Sequence, residues 1–521
     1  MFNSRSTLVA LLLFMPLPET LAAQGVSLEQ VAYQTLINNA EVRSADYDRR
    51  ISAGRLQTAR GAFDPVFEAS GEAERRREPA GMLNEAQYGT DTLENNTYSV
   101  GLGVEQPLRS GLSLGVSTGL ERTEDPDTRI TPGAEPANYA TVGFSLSVPL
   151  GQGLGADEVA AEERSLALGE DASGYLYGHA VSREVSLALE AYWSYRGAQQ
   201  RLALTRDSEE RARVLLEQTR KLVEADEKPR AELPLVRANL ADKGTLRLSE
   251  EQNLASSRNQ LGRAMGLGHN RISTLDQALD ALPPITPQSM DGVNNIPGLV
   301  NDSLPRRMDL RASTLTERSA AVSLKAQRLA DRPDIDLDLS MEYRSLEEEN
   351  DAARAVTDHQ DLTGPSVRMT LRWQWAAGNN ANLGRITERQ AELDKATLQR
   401  RDLRADTGAG IADAARSLAN AAETVESSRE SVESYRESVD NERKRYRLGS
   451  TTLINLLELE DRLVEARLSH IRQQEAYAQA LTRLLFRSGQ LITRKDDAQD
   501  RYSLQLERFY HPAKTDSDHG S

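Results

Sequence analysis

The stretch 366–375, SVRMTLRWQW, and the sequence that follows it decide the fold. Every second residue of the stretch is apolar: Val367, Met369, Leu371, Trp373 and Trp375. The residues between them are polar, so the stretch is predicted to be a β-strand with one apolar and one polar face. No proline follows up to His511, and Ala, Leu, Glu, Arg and Gln predominate there, which favours long helices. One chain therefore combines amphipathic strands with long helices.

Five further runs show the same alternation, at 67–74, 98–104, 112–117, 142–148 and 335–340. Three connections are long and polar, at 79–96, 122–138 and 346–364. The connection at 109–111 is a tight turn. Long loops on one side and short turns on the other are typical of membrane barrels. Alternation alone fits a soluble sandwich with one wet face equally well, and the loop lengths favour the barrel.

Two long proline-free segments, 150–228 and 366–511, contain the predicted helices. Their apolar residues recur at steps of three and four, as in a coiled-coil seam. The part 382–445 would extend about 95 Å at about 1.5 Å per residue, if Gly408 and Gly410 do not interrupt it. A compact domain does not need a helix of that length.

The two halves of the sequence are predicted to be copies of each other. Residues 41–45 match 309–313 at an offset of 268, and the pair Asp226 and Leu233 matches Gly449 and Leu456 at an offset of 223. The first copy is longer by about the size of one strand pair, so it is predicted to contain four strands where the second contains two. Each copy consists of a helix, strands, a long helix, a turn and a returning helix.

Composition excludes several classes of protein. The 521 residues contain no cysteine, which excludes disulfides, thiolate metal sites and a cysteine nucleophile. The formal charge of −16 argues against nucleic-acid binding. Residues 1–23 are predicted to be a secretory signal peptide. Beyond them, no run of about 18 apolar residues could form a membrane-spanning helix.

Short motifs give no reason to expect catalysis. The G-x-S-x-G string at 111–115 lies inside an alternating strand and not at a strand-to-helix elbow. The glycine-rich 151–155 lacks a surrounding βαβ unit. The six histidines lack metal-ligand spacing, and 334–338 alternates like a strand and lacks the glycine of a calcium loop. We therefore expect no catalytic residue, no cofactor and no metal site.

With these features in place, the sequence resembles the TolC-like outer-membrane factors over nearly the whole mature chain. The resemblance is carried by 27–32 with Asn38 and Asn39, by 59–65, by 148–150, and most specifically by Tyr446-Arg447-Leu448-Gly449 with Leu453, Leu456, Leu457 and Leu463. It implies an α+β membrane protein built from two internal repeats. In that family a trimeric transmembrane β-barrel continues into a long α-helical coiled-coil periplasmic barrel.

The resemblance also implies a function. The expected protein is a passive, non-enzymatic exit duct of the cell outer membrane, with a large periplasmic portion, for efflux or type I secretion. Its expected partners are two further copies of the chain, a periplasmic adaptor, an inner-membrane pump of RND or ABC type, and outer-membrane lipid. Three departures stand out: Asp226 replaces the glycine of the first turn, the first half has two extra strands, and no cysteine is available for lipidation.

Site residues follow from the same resemblance. The aperture or gate is expected at Glu232, Asn455, Glu458, Tyr446 and Arg447. The adaptor-facing tips are expected at Asp226, Glu227, Lys228, Leu448, Gly449 and Ser450, and the barrel lumen at Asp336, Asp338, Arg368 and Arg372. Repeated carboxylates in a narrow pore would favour cations or bind blocking divalent ions. The alternative is that Glu232 and Glu458 are solvated acids at helix starts.

The expected order along the chain is a signal peptide at 1–23 and a periplasmic helix at 24–64, followed by outer-membrane strands at 65–150 and a helical hairpin at 151–268. The second repeat has a connecting segment and helix at 269–332, strands at 333–377 and a hairpin at 378–489. A polar tail occupies 490–521. The rival interpretations are a soluble periplasmic coiled-coil scaffold or adaptor and, with no plausible nucleophile, a secreted hydrolase.

Overall fold

The computed structural model describes residues 25–125, 135–287, 289–290, 292–347, 363–496 and 501–504. The chain divides into two compact units. The first contains Met1–Arg50, Asp171–Thr314 and Gln399–Ser521, and the second contains Ile51–Glu170 and Leu315–Leu398. The predicted signal peptide, much of the predicted loops 122–138 and 346–364, and the chain after residue 504 lie outside the described residues.

The second unit contains the predicted strands as one antiparallel sheet. Its strands are β1 (Val66–Pro79), β2 (Thr92–Pro107), β3 (Ser113–Glu124), β4 (Ala137–Pro149), β5 (Asp334–Glu347) and β6 (Thr363–Gln374). They are hydrogen-bonded in chain order, so β4 and β5 join the two sequence halves. Within the described residues β1 pairs only with β2 and β6 only with β5, which makes them the two edges.

The register of the sheet separates apolar from polar side chains. One row of direct partners is Phe67, Val104, Val116, Phe144, Met341 and Val367. The next row is Glu68, Gly103, Ser117, Gly143, Glu342 and Ser366. Direct partners point to the same face, and neighbouring rows point to opposite faces. The apolar face is exposed: Phe67 is 80% and Val367 70% accessible to solvent.

The predicted loop 79–96 is shorter than expected. β1 continues to Pro79 and β2 begins at Thr92, and helix α3 (Met82–Tyr88) lies between them. The sequence pattern assigned the polar residues at the strand ends to the loop, because the alternation of apolar and polar residues stops there. Pairing extends further because Arg75 and Arg77 bind Glu94 on the neighbouring strand, at 2.5 and 2.9 Å, which replaces apolar contacts.

The helices follow the predicted order. They are α1 (Leu28–Asn38), α2 (Ala40–Gly61), α4 (Ala156–Val159), α5 (Ala161–Glu224), α6 (Glu232–Ala264), α7 (His269–Ser273), α8 (Ile296–Ser303), α9 (Met308–Leu329), α10 (Asn380–Arg447) and α11 (Leu453–Arg487). Helix α10 has 68 residues and runs unbroken through Gly408 and Gly410. Hydrogen bonds along the helix outweigh the roughly 1 kcal/mol that each glycine costs. None of the described helices is long and apolar enough to cross a membrane.

The N-terminal helical segment is split at Asn39. Its backbone is extended, with ψ 130°, and its side-chain oxygen accepts hydrogen bonds from the amides of Glu41 and Val42 at 2.8 and 3.3 Å. Asn39 therefore caps α2, because its oxygen satisfies amides that have no partner within the helix. Its own amide donates to the Ala264 carbonyl, 2.9 Å away.

The internal repeat is also visible where the returning helices end. After α6, Gly266 has φ +70° and Leu267 N–H donates to the Gly262 carbonyl at 2.9 Å. After α11, Gly489 has φ +68° and Gln490 N–H donates to the Leu485 carbonyl at 2.9 Å. Both are Schellman turns, and their residues correspond at the predicted offset of 223.

Aromatic side chains fill the core of the first unit. Tyr192, Trp193 and Tyr477 are almost inaccessible to solvent and pack among leucines of α5 and α11. The Tyr192 hydroxyl donates to Asp280 at 2.6 Å, and the same carboxylate accepts the Leu28 amide at 2.8 Å. The segment predicted as a polar tail contains two short paired strands, β7 (Ile492–Asp496) and β8 (Arg501–Leu504).

Candidate functional site

Two helical turns contain the predicted tip residues. The first tip turn, 225–231, joins α5 to α6, and the second tip turn, 448–452, joins α10 to α11. In the first, Glu227 N–H donates to the Leu222 carbonyl at 2.9 Å; in the second, Ser450 N–H donates to the Arg445 carbonyl at 3.0 Å. Asp226 has φ +57° and Gly449 has φ +70°. The first turn therefore keeps the geometry of the second although it lacks the glycine.

This similarity predicts that Asp226 is a strained position. A non-glycine residue at positive φ destabilises the folded state by about 1–2 kcal/mol. Replacing it with glycine removes that strain but also makes the unfolded chain more flexible, which offsets about 0.4–1 kcal/mol of the gain. We expect Asp226→Gly to raise the free energy of unfolding by about 0.5 kcal/mol, measured by denaturant titration in detergent. The matched control is Glu227→Gly, where φ is not positive and the change should destabilise. Equal destabilisation by both variants would contradict the expectation.

Tyr446 links the two hairpins beside these turns. Its hydroxyl donates to Glu232 Oε2 at 3.3 Å, and Lys228 Nζ lies 4.5 Å from the centre of its ring. Burial first, and then the Glu232 charge, raise the pKa of Tyr446, so the hydroxyl is protonated and able to donate at neutral pH. Of the predicted gate residues, Tyr446 and Glu232 are thus brought together.

The other predicted gate residues have local partners. Thr452 caps the start of α11, because its hydroxyl accepts a hydrogen bond from the Asn455 backbone amide at 3.4 Å. Glu458 is exposed and pairs with Arg462 one turn later at 2.9 Å, as expected of a solvated helix acid. Arg447 is exposed, and its Nε donates to the Arg443 carbonyl at 3.4 Å.

A small apolar cluster supports the Tyr446 contact from within the first unit. Val236, Leu453 and Leu457 are buried there, and Tyr446 packs against them. Below it, Lys243 of α6 binds Asp461 of α11. The second tip turn is also braced by Glu442, which is 6% exposed and accepts a hydrogen bond from Thr451. The sequence placed Lys228 at the adaptor-facing tip but did not predict its contact with Tyr446, and it missed Lys243 and Glu442, because only the packing of the hairpins reveals their partners.

The predicted lumen residues lie on the polar face of the sheet. Asp336 is the direct partner of Arg372, as expected from their charges. Arg368 instead lies opposite Ser340. Asp338 accepts a hydrogen bond from Ser147 of β4 at 2.7 Å. Of these four residues, Asp336 and Arg372 are thus the one acid and base that lie directly opposite each other in the described strands.

Comparisons with known proteins agree with this architecture. Residues 299–490 match the family model described as Outer membrane efflux protein. This part of the chain is therefore similar to the outer membrane efflux proteins. This match covers the second copy and includes Tyr446, Asn455 and Glu458, and it confirms the resemblance inferred from the sequence. Glu232 and the first tip turn lie in the first copy, outside the matched residues. No match was found among the curated proteins.

Solved structures of similar fold extend over nearly the whole chain. A membrane protein from Pseudomonas aeruginosa is 17% identical, with 89% of this chain and 92% of that chain covered and a TM-score of 0.63. The CmeC outer membrane channel of Campylobacter jejuni is 15% identical, with 90% and 87% covered and a TM-score of 0.61. The open-state MtrE outer membrane channel of Neisseria gonorrhoeae is 14% identical, with 89% and 88% covered and a TM-score of 0.58. The chain therefore shares its fold with these solved structures.

Proposed function

We propose that the protein is a subunit of a passive outer-membrane exit duct for efflux or type I secretion, with no enzymatic step. The observation that carries the proposal is the sheet, whose exposed apolar face requires a non-aqueous partner. Apolar residues such as Val367, Met369 and Leu371 are 65–71% exposed and consecutive along one face. An apolar surface of this extent is favourable only against lipid or protein.

The proposed assembly is a homotrimer in the cell outer membrane. The strands of the copies form one barrel in contact with outer-membrane lipid, and the helices form a coiled-coil tunnel in the periplasm. The paired hairpins α5–α6 and α10–α11 supply long helices for such a tunnel. Energy comes from an inner-membrane pump of RND or ABC type, which is joined to the tip turns through a periplasmic adaptor.

The contact between Tyr446 and Glu232 supports a gate at the periplasmic end. It joins α10 to α6, so separation of the hairpins must break it. Lys228 adds an attraction to the same ring. A neutral hydrogen bond contributes about 0.5–1.5 kcal/mol and one to a charged group about 1.5–3 kcal/mol, so an adaptor could supply enough energy to open the tip.

Membrane fractionation and oligomeric mass test the duct directly. We expect the mature protein to require detergent for extraction and to have the mass of a trimer in mild detergent. A monomer or dimer released by buffer alone would instead support the soluble periplasmic scaffold.

The gate is tested by Tyr446→Phe. The variant keeps the ring against Val236 and Leu453 but loses the hydrogen bond to Glu232, so it should favour the open tip. We expect its mean conductance in planar bilayers to rise several-fold, since about 1.5 kcal/mol corresponds to a factor of about ten in the opening equilibrium. Tyr435→Phe, on the same helix beside Arg462, is the matched control and should conduct like the parent. If the parent and both variants conduct equally, Tyr446 does not help to close the gate.

A further inference from the structure

We propose that the two edges of the sheet bind each other between copies of the chain, with β6 of one copy antiparallel to β1 of the next and Trp373 opposite Phe67. The inference rests on the proposed assembly of several copies, and it adds the register of their contact. That register places Leu371 opposite Ala69 and Arg372 opposite Glu68.

The edges have the exposure expected of unpaired strands. Every residue of β1 is exposed, and so is every residue of β6 from Pro365 on, whereas β2 to β5 contain many partly buried positions. Backbone N–H and C=O groups on the outer side of each edge have no strand partner among the described residues. Because six antiparallel strands alternate in direction, β1 and β6 run in opposite directions and can pair antiparallel.

Charge is complementary between the two edges on the polar face. On this face β1 presents Glu68 and Glu72, and β6 presents Arg368 and Arg372. Arg372 lies opposite Asp336 in its own copy, and within the described residues none of the four side chains forms an ion pair of 4.0 Å or less. The two acids and the two arginines are each four residues apart, so one antiparallel register brings Arg372 opposite Glu68 and Arg368 opposite Glu72 together. Opposite charges directly across a strand pair stabilise it.

Side-chain size is complementary on the apolar face in the same register. The large side chains of Met369 and Leu371 lie opposite the small Gly71 and Ala69. Trp373 lies opposite Phe67, and these two rings are 62% and 80% exposed in the single chain. Aromatic pairs of this kind are favourable across strands. A single register therefore matches charge on one face and volume on the other.

Closure geometry is consistent with this register. Direct partners lead from Val66 through Glu105, Gly115, Ser145 and Ser340 to Arg368. If Arg368 pairs with Glu72 of the next copy, the row of direct partners that begins at position 66 of β1 in one copy reaches position 72 of β1 in the next. With a rise of about 3.4 Å per residue and a strand spacing of about 4.8 Å, this advance gives a strand tilt of about 35°, as in closed barrels.

Registers shifted by two residues fit less well. If Arg368 faced Ser70, the tilt would fall to about 25°, below the range of closed barrels. If Arg368 faced Glu74, the tilt would be about 43°, but Arg372 would face Ser70 and Trp373 would face Ala69. That register loses one ion pair and the aromatic pair.

Cysteine cross-linking tests the register without background, because the chain contains no cysteine. The full chain with Ala69→Cys and Leu371→Cys is purified in mild detergent and oxidised, and its oligomeric mass is measured in parallel. Direct antiparallel partners have Cα atoms about 4.5–5.5 Å apart, within the range for a disulfide. Within one copy these residues lie on opposite edges, about 24 Å apart at five strand spacings, so any bridge joins two copies.

We expect covalent dimers and higher species from this pair, at least tenfold more than from the matched control with Ala69→Cys and Val367→Cys. The control places its thiols about 13 Å apart along the strand. A trimer that cross-links better through Ala69→Cys with Met369→Cys or Trp373→Cys would overturn the register while leaving the duct intact. A monomer in detergent would overturn both. A cross-linked trimer without conductance would preserve the register and reject the duct.

Discussion

Gly266→Ala is expected to lower the free energy of unfolding by about 2–5 kcal/mol. The φ of +70° costs an L-residue about 1–2 kcal/mol. An added Cβ would also lie 2.5 Å from the Asn38 carbonyl oxygen and 2.8 Å from the Asn39 nitrogen. These are backbone atoms at the junction of α1 and α2, so the clash is relieved only by moving a helix, at a further cost of about 1–3 kcal/mol. Denaturant unfolding in detergent measures the loss.

Two other glycines separate the backbone cost from the clash. Gly449 has the same φ of +70° and no atom within 4 Å of an added Cβ, so Gly449→Ala should cost about 1–2 kcal/mol. Gly489 is intermediate, with backbone atoms of Arg306 at 3.3 Å. The expected order of destabilisation is Gly266→Ala, then Gly489→Ala, then Gly449→Ala. An equal loss for all three would show that the contact with α1 and α2 is not rigid.

Arg307→Leu is expected to cost about 3–5 kcal/mol at neutral pH, because it leaves a buried carboxylate without its cation. Arg307 and Asp309 have side chains only 5% and 10% exposed and lie 2.5 Å apart. Arg307 also donates to the Phe486 carbonyl at 3.2 Å. Burial alone would raise the pKa of Asp309, but the Arg307 hydrogen bond and charge outweigh it and hold the pKa below 3.8.

The sign of the pH dependence follows from that shift. In the parent, the lowered pKa of Asp309 contributes stability that is present above pH 3.8 and is lost as the pH falls through the lower folded value. In Arg307→Leu, burial raises the pKa of Asp309 instead, and the neighbouring His179, whose ring nitrogen lies 4.0 Å from Asp309, would carry a compensating charge only when protonated. The difference in stability should therefore be largest at neutral pH and shrink towards pH 4.

A double variant separates the buried charge from lost packing. Arg307→Leu with Asp309→Leu removes both charges, so most of the loss should be recovered. If the double variant is as unstable as Arg307→Leu, the hydrogen bond to the end of α11 matters more than the charge on Asp309.

The candidate site could be predicted from the sequence only in part. The tip turns could be placed because Gly449 interrupts a helical pattern and Thr452 can cap the next helix. The resemblance carried by Tyr446-Arg447-Leu448-Gly449 assigned Tyr446 to the same region. Its partner Glu232 lies 214 residues away, and no local pattern links the two. The same holds for Lys228, which reaches the Tyr446 ring only after both hairpins have packed.

Strands and helices were determined locally by the sequence. Alternation at 366–375 specifies a two-faced strand whatever it pairs with, because side chains point to opposite faces at every second residue. Helix-forming residues with apolar steps of three and four likewise specify α5, α10 and α11. The sequence match at the offset of 223 correctly located equivalent turns.

The contacts between those helices and strands were decided by the tertiary structure alone. Asp226 adopts positive φ because the packed hairpin imposes the turn, although its own preference opposes it. Arg307 and Asp309 lie two residues apart in the sequence like any surface pair, and only the folded chain brings them to the end of α11, where Arg307 donates to the Phe486 carbonyl. Register and burial depend on contacts between distant residues, whereas periodicity reports only the local backbone. For that reason the sequence by itself determined the elements and their faces, and packing decided the partners of those faces.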